Sequence, residues 1–328
     1  MTHNTTVSHR TLEVNGIQLH IAEQGEGPLV VLLHGFPETW YSWRHQFTAL
    51  AEAGYRVVAP DQRGYGSSDR PEAIDSYTMF HLVGDVIGLI HALGEEQAVV
   101  AGHDFGAIVA WQTALLRPDV VRGVVGLSVS PWLRGDVPPL KTMRELHGGE
   151  FYWNYYEQPG VAEAELSADT RSTLRRILYH MSGDNPENKA PQLPLVPPGD
   201  GLLTYMAPEP EELPGWLTED DIDAYVAGYT ESGFGGLSLY RNFDRNWELG
   251  AAWAGAKLQV PGLYVTGDRD LAFALVKEQL PVFTQTYPTI AEPVVLPGCG
   301  HWTQQERPEE VNAQLIDFLR SLESTTRR

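Results

Sequence analysis

The stretch Gly102-His103-Asp104-Phe105-Gly106 follows the Val-rich run Gln97-Ala98-Val99-Val100-Ala101 and decides the fold. A Gly-x-nucleophile-x-Gly pattern after an apolar run is typical of a sharp turn from a strand into a helix, with glycines where a Cβ would clash. Such a turn lifts its central side chain, here Asp104, above the edge of a sheet. The pattern therefore predicts a strand, a tight turn with a reactive carboxylate, and a helix.

Aspartate at the centre of this turn limits the chemistry, because turns of this kind usually carry serine. A carboxylate that attacked an ester carbonyl would form a high-energy anhydride. Asp104 is therefore expected to attack a saturated carbon that bears a leaving group, which gives an alkyl ester on the protein. Epoxides and alkyl halides are the substrates that fit this reaction.

Composition indicates a globular chain with a large core. Of its 328 residues, 42% are hydrophobic and 10% aromatic, which is enough for one sizeable domain or one domain with an insertion. Asp and Glu number 43 against 23 Lys and Arg, and the formal charge is -20. This charge repels nucleic acids and anionic membranes, so neither is expected as a partner.

The sequence favours a cytoplasmic location for this protein. The first residues, Met1-Thr2-His3-Asn4-Thr5-Thr6, are polar and lack the apolar centre of a secretion signal. No apolar stretch approaches the roughly 18 residues needed to cross a bilayer. The single cysteine, Cys299, cannot form an internal disulfide, which fits a reducing compartment.

Along the chain, strand and helix patterns alternate. An antiparallel hairpin is predicted around Asn15-Gly16. Apolar runs typical of strands in a parallel sheet occupy 29–33, 55–59, 98–101, 124–127, 262–266 and 293–296, and helical patterns occupy 40–53, 78–93 and 105–116. The alternation predicts an α/β protein with a mostly parallel, doubly wound sheet.

The alternation stops after Pro131. From about residue 133 to residue 247 the chain is rich in aromatics and is interrupted by Pro-rich stretches such as Ala190-Pro191-Gln192-Leu193-Pro194. We predict a core at 1–132, an inserted helical cap at 133–247 and the rest of the core at 248–328. A cap in this position would cover the carboxyl ends of the strands, where open α/β sheets bind ligands.

Two further motifs complete a catalytic set. Asp270 lies in Gly267-Asp268-Arg269-Asp270 and His301 in Gly298-Cys299-Gly300-His301-Trp302, and each motif follows an apolar strand pattern. With Asp104 they stand in the order nucleophile, acid, histidine. Over nearly its whole length the chain resembles soluble epoxide hydrolases of the α/β-hydrolase fold. The resemblance implies Asp270 as the acid, with Asp268 as the alternative.

Two tyrosines of the predicted cap also resemble residues of that family. Tyr152, at the start of Tyr152-Trp153-Asn154-Tyr155-Tyr156-Glu157-Gln158-Pro159-Gly160, and Tyr240, in Leu239-Tyr240-Arg241-Asn242, match the lid tyrosines of that family. A phenol with a pKa near 10 donates a hydrogen bond and stays protonated at neutral pH. Two such donors would stabilise the alkoxide that leaves when an epoxide opens.

The segment His34-Gly35-Phe36-Pro37 resembles the oxyanion loop of the same family. The resemblance implies that the backbone N–H groups of Phe36 and Phe105 face the Asp104 carboxyl group, and that the bond before Pro37 is cis. Trp153, Pro37 and Trp302 are the predicted substrate-pocket residues.

The resulting hypothesis is an epoxide hydrolase, a hydrolase acting on ether bonds, that converts a small apolar epoxide and water into a vicinal diol. Asp104 forms the covalent ester, and water activated by His301 hydrolyses it. No cofactor is needed, and no histidine spacing indicates a metal site. The resemblance also makes a homodimer possible, while a role in detoxification, in lipid-epoxide signalling or in biosynthesis stays open.

Three alternatives remain. Haloalkane and haloacid dehalogenases share the aspartate nucleophile, but Phe36 and Phe105 stand where haloalkane dehalogenases hold the halide, and haloacid enzymes usually place Arg after the nucleophile. Neither class accounts for Tyr152 and Tyr240. A non-catalytic protein that binds apolar ligands on this fold is the third alternative, and the complete catalytic set argues against it.

Overall fold

A single sheet of eight strands forms the centre of the molecule. The computed structural model describes residues 6–131, 134–189 and 194–326. The strands are β1 (Ser8–Val14), β2 (Ile17–Gln24), β3 (Leu29–Leu33), β4 (Arg56–Pro60), β5 (Ala98–His103), β6 (Val121–Leu127), β7 (Gly262–Gly267) and β8 (Val294–Leu296). Their order across the sheet is β1-β2-β4-β3-β5-β6-β7-β8. β2 is antiparallel to both of its neighbours, and the other pairs are parallel.

The predicted hairpin is present between β1 and β2. Val14 pairs with Ile17, and Asn15 and Gly16 form the turn with φ values of 50° and 78°. Two consecutive residues with positive φ match the right-handed twist of the paired strands, and Asn-Gly adopts this conformation readily. The hairpin therefore forms where the sequence predicts it.

β3 explains why the strand runs are continuously apolar. Its alternate residues point to opposite faces: Val31 and Leu33 join one core cluster, and Val30 and Leu32 join the other. Both faces of the sheet are thus covered, as is typical of parallel sheets.

Helices cover both faces. The α-helices are α1 (Arg44–Glu52), α2 (Met79–Ala92), α3 (Phe105–Leu116), α4 (Pro139–His147), α5 (Tyr152–Tyr156), α6 (Val161–Ala168), α7 (Thr170–His180), α8 (Glu219–Ser232), α9 (Phe243–Leu249), α10 (Leu271–Val276), α11 (Phe283–Thr286), α12 (Thr303–Glu306) and α13 (Pro308–Thr326). Apolar side chains of α2 and α3 belong to one core cluster, and those of α1 and α13 to the other. Within the described residues, no helix is both long enough and apolar enough to cross a membrane.

Between β6 and β7 the chain leaves the sheet and forms α4 to α9. Short 3-10 turns, including Leu202–Tyr205 and Gly235–Asn242, separate the later helices of this segment. The predicted boundary at residues 132 and 133, and residues 190–193 of the Pro-rich stretch, lie outside the described residues.

The strand order places a crevice at the candidate site. From β3 the chain moves to one neighbour, β4, and then returns to the other side of β3 to form β5. Ligands of open α/β sheets bind at the carboxyl ends of the strands where this reversal occurs. The loop after β3 begins at His34, and the turn after β5 is centred on Asp104, so both predicted motifs flank this crevice.

Candidate active site

The turn at Asp104 joins β5 directly to α3. Asp104 has φ 51° and ψ −120°, a conformation that non-glycine residues rarely adopt. Its backbone is held by a hydrogen bond to the carbonyl of Leu127 (3.3 Å). A Cβ on Gly106 would lie 2.2 Å from the carbonyl oxygen of Leu33, so only glycine allows α3 to start this close to β3. The sharp turn thus depends on both the strained aspartate and the glycine after it.

The loop after β3 contacts the Asp104 carboxyl group. The backbone N–H of Phe36 donates to Oδ1 of Asp104 over 2.9 Å. A Cβ on Gly35 would lie 2.4 Å from that same oxygen, so the loop backbone can approach only because residue 35 is glycine. The Phe36–Pro37 peptide bond is cis, as the resemblance predicts. Phe105 is the first residue of α3, so its N–H belongs to the free amino-terminal groups of the helix.

His301 and Asp270 complete the constellation. Nδ1 of His301 lies 2.9 Å from Oδ1 of Asp270, and Nε2 lies 3.4 Å from Oδ2 of Asp104. Both His301 and Asp270 are buried. The alternative acid, Asp268, is exposed and accepts a hydrogen bond from the backbone of Gly298. Asp270 is therefore the acid that the structure brings to His301.

The charges of this set stabilise one another. Burial alone would lower the pKa of His301, but the carboxylates of Asp270 and Asp104 outweigh it and raise that pKa above its ordinary value. Burial alone would likewise raise the pKa of Asp104, but the hydrogen bond and charge of His301, with His103 and the Phe36 amide, hold it below its usual range. These shifts favour an ionised Asp104 paired with a protonated His301.

Both predicted tyrosines line the same cavity as Asp104. Tyr152 is the first residue of α5, and Tyr240 belongs to the Gly235–Asn242 turn; their ring centroids are 6.3 Å apart. The Tyr240 ring packs against Phe36 and Phe105, at 5.9 and 5.6 Å. Burial, followed by the nearby charge of Asp104, raises the pKa of both phenols, so they stay protonated at neutral pH.

A cavity of about 670 Å³ joins these groups. Its wall includes Asp104, His301, Tyr152 and Tyr240, and the rest is mainly aliphatic and aromatic. Trp153 lies on this wall, as predicted. The other two predicted pocket residues do not: Pro37 is buried in the loop after β3, and Trp302 is fully buried beside the His301 ring and donates to the carbonyl of Leu178. The sequence could not distinguish a wall residue from one packed behind the histidine.

A buried ion pair behind the site escapes the sequence analysis. His103, inside the turn, donates from Nδ1 to Glu38 and from Nε2 to the carbonyl of His301, both over 2.7 Å. Glu38 also accepts from the backbone of Gly35. The charge of His103 and these hydrogen bonds lower the pKa of Glu38 although burial opposes them. The pair thus ties the loop after β3, the nucleophile turn and the histidine loop together.

Gln304 and Gln305 extend this network. Their side-chain amides donate to the other oxygen of Glu38 over 3.0 and 2.8 Å. A charged residue directly after the apolar-aromatic loop Gly35-Phe36-Pro37 is the signal that could have identified Glu38. A buried charge needs a partner, and His103 is the partner.

Ser128 is a further residue of the site that the sequence does not predict. It directly follows β6, and its hydroxyl contacts both Asp270 and His301. Nothing in the pattern of residues around Ser128 predicts this role, because the contact depends on how β6 and β7 pair.

Metal ligation is the remaining question for this site. Within the described parts of the chain, no group of three or more His, Cys, Asp or Glu side chains is arranged to hold a metal ion.

The fold is that of an α/β hydrolase, with Asp104 at the turn from β5 into α3. The family model for the alpha/beta hydrolase fold matches residues 28–308. Epoxide hydrolase A of Mycobacterium tuberculosis is 44% identical to this chain over 96% of it and 98% of that protein. Epoxide hydrolase 3 of Siraitia grosvenorii is 43% identical, over 95% of this chain and 98% of that protein.

Solved structures that resemble this chain are also epoxide hydrolases. An epoxide hydrolase from an endophytic Streptomyces has a TM-score of 0.92 and 44% identity, with 97% of this chain and 96% of that chain covered. Epoxide Hydrolase A from Mycobacterium thermoresistibile has a TM-score of 0.89 and 48% identity, with 96% and 98% covered. The chain belongs to the epoxide hydrolase family of the α/β-hydrolase fold, which confirms the predicted fold class and family.

Proposed function

We propose that this protein is an epoxide hydrolase that converts an apolar epoxide into a vicinal diol through an ester on Asp104. One observation carries the proposal: a carboxylate nucleophile and two protonated phenols line the same apolar cavity. A carboxylate suits attack on a saturated carbon, and phenols suit an oxygen leaving group that needs a hydrogen bond.

In the first half-reaction, Tyr152 and Tyr240 bind the epoxide oxygen while Asp104 attacks a ring carbon from the opposite side. The carbon–oxygen bond of the ring breaks, and its electron pair moves to the oxygen, which takes a proton from a phenol. The ion pair with His301 and the Phe36 amide keep Asp104 ionised for this attack. The product is a hydroxyalkyl ester.

In the second half-reaction, His301 removes a proton from water, which attacks the carboxyl carbon of the ester. Formation of the ester removes the negative charge of Asp104, which is one of the two charges that raise the pKa of His301. That pKa therefore falls after alkylation, and His301 gives up its proton, which restores the phenol that lost one to the epoxide oxygen. His301 is then available as a neutral base. The amides of Phe36 and Phe105 stabilise the oxyanion. Its collapse breaks the bond to the substrate oxygen, which takes the proton of the Asp104 carboxyl group; the diol leaves, and the carboxylate again faces a protonated His301.

We also propose that residues 133–247 act as a cap and that Trp153 helps to shape the substrate pocket. The cavity wall combines Tyr152 and Trp153 of this segment with Asp104 and His301, which supports both proposals. A cytoplasmic location, supported by the lone buried Cys299, and a homodimer are further proposals.

Incubation with styrene oxide tests the function. The expected product is the diol, with no halide released from 1-bromobutane under the same conditions. Asp104→Ala is the inactive control. His301→Gln should still be alkylated by the epoxide but should not hydrolyse the ester, so intact-mass spectrometry should find an adduct of substrate mass. Halide release without diol formation would instead assign the site to a dehalogenase.

A further inference from the structure

Ser128 occupies an unusual position at the end of β6. It has φ 70°, a conformation that costs energy for a residue with a side chain. Its backbone N–H donates to Val265 over 2.8 Å, and its carbonyl accepts from the hydroxyl of Tyr264 over 3.1 Å. β7 therefore holds Ser128 from both sides in this conformation, and its side chain is fully buried.

The Ser128 hydroxyl bridges the acid and the histidine of the site. Oγ makes a short hydrogen bond to Oδ2 of Asp270 and lies 2.8 Å from Nδ1 of His301. A carboxylate only accepts hydrogen bonds, so the single hydroxyl proton of Ser128 points to Asp270. The oxygen of Ser128 is then left as an acceptor for the Nδ1–H of His301.

The proton on Nδ1 of His301 is consequently shared. It faces Oδ1 of Asp270 at 2.9 Å and Oγ of Ser128 at 2.8 Å. Two acceptors on Nδ1 fix the ring plane and the tautomer, so that Nε2 is the nitrogen that faces Asp104. The negative end of the Ser128 hydroxyl dipole also points at the ring, which favours the charged form of His301.

We propose that Ser128 is a positioning residue for hydrolysis of the ester: it orients His301 as the base and raises the stability of the imidazolium formed when water is deprotonated. This inference rests on the proposed function of His301. It assigns Ser128 no contact with the substrate, and Ser128 is not on the cavity wall. Its effect should therefore fall mainly on the second half-reaction, in which His301 acts as the base, while the Phe36 amide still supports an ionised Asp104 in the first.

The other charged and titratable groups around His301 come from several elements and are unchanged by a substitution at residue 128. They are Asp270 after β7, Asp104 and the His103–Glu38 pair at the nucleophile turn, Tyr152 and Tyr240 on the shared cavity wall, and Glu306, which accepts from the backbone of Trp302.

Ser128→Ala and Ser128→Gly test the proposal with single-turnover kinetics. Glycine tolerates φ 70° and removes the hydroxyl without backbone strain, so this variant keeps the test valid if Ser128→Ala folds poorly. In both variants we expect alkylation within about twofold of wild type and ester hydrolysis slower by about tenfold or more.

The pH dependence of ester hydrolysis distinguishes a positioning role of Ser128 from a merely structural one. Hydrolysis requires neutral His301, so its rate rises with pH through the pKa of His301 in the alkylated enzyme. Loss of the hydroxyl dipole lowers that pKa. The acid limb of the pH–rate profile for ester hydrolysis should therefore move to lower pH by about half a unit or more. A Ser128→Gly variant that hydrolyses the ester at the wild-type rate, with the acid limb of its pH–rate profile unchanged, would overturn the inference. Wild-type protein that forms no diol would instead refute the proposed function.

Discussion

At the residue scale, the carboxylate of Asp104 and the hydroxyl groups of Tyr152 and Tyr240 have different chemical tasks. Asp104 carries a stabilised negative charge, and the two phenols keep their protons because burial and that charge raise their pKa. A donor that faces a developing alkoxide in a cavity screened from water is worth far more than one in water. The tyrosines should therefore control the first half-reaction.

Tyr152→Phe and Tyr240→Phe should each slow alkylation by about 10- to 100-fold, because each variant leaves one donor for the alkoxide. The double variant should be slower still. The measurement is the rate of adduct formation by rapid quenching and intact-mass spectrometry, in the His301→Gln background so that the ester accumulates.

Tyr156→Phe is the matched control for both tyrosines. Its ring packs against Tyr152 and Tyr240, but it is buried and does not line the cavity. Its alkylation rate should stay within about twofold of the parent. Equal rates for Tyr152→Phe and Tyr156→Phe would remove the reason to assign Tyr152 a catalytic role.

Residues differ in how far sequence alone predicts them. Asp104, Asp270 and His301 stand in short motifs after strands, so their meeting follows from a parallel sheet whose carboxyl ends share one edge. Glu38 and Ser128 act through contacts between loops that are distant in sequence. Such contacts depend on strand register and loop approach, which hydrophobic patterns do not encode.

At the element scale, the turn from β5 into α3 is the feature on which the site depends. Gly106→Ala would place a Cβ 2.2 Å from the carbonyl oxygen of Leu33 and 2.5 Å from that of His34. Both atoms are backbone, so β3 and its loop must shift. We expect a loss of about 1–3 kcal/mol in the free energy of unfolding and a large loss of kcat, because Phe36 would move from Asp104.

Urea unfolding and steady-state kinetics measure these two effects. Gly215→Ala provides the control, because a Cβ at Gly215 meets no atom within 4 Å; its stability should change by no more than about 0.5 kcal/mol. A Gly106→Ala variant with wild-type stability and activity would show that the close approach to β3 is dispensable.

Element boundaries show where the sequence patterns fail. The predicted helix at 105–116 matches α3, because it begins directly after the turn at Asp104 and ends two residues before Pro118. β6 begins at Val121, three residues before the predicted run, because the partly exposed Arg122 interrupts the apolar pattern without ending the strand. The predicted helix at 40–53 divides into a 3-10 turn at Trp40–Trp43 and α1.

For the whole molecule, the position of the insertion was predictable and the shape of the cavity was not. An insertion after β6 must emerge at the carboxyl edge of the sheet, so it can cover the crevice between β3 and β5. The cavity wall, however, combines residues that are distant in sequence, from Asp104 to His301. Trp302 shows the consequence: it is adjacent to His301 in sequence but lies behind the ring, outside the wall.

The central claim is that water attacks the carboxyl carbon of an ester on Asp104 and never the substrate carbon. A single turnover with excess enzyme in heavy-oxygen water tests it directly. We predict that the first diol contains no heavy oxygen and that the peptide containing Asp104 becomes heavier by one isotopic oxygen. Heavy oxygen in the first diol, with an unlabelled Asp104 peptide, would contradict the covalent mechanism.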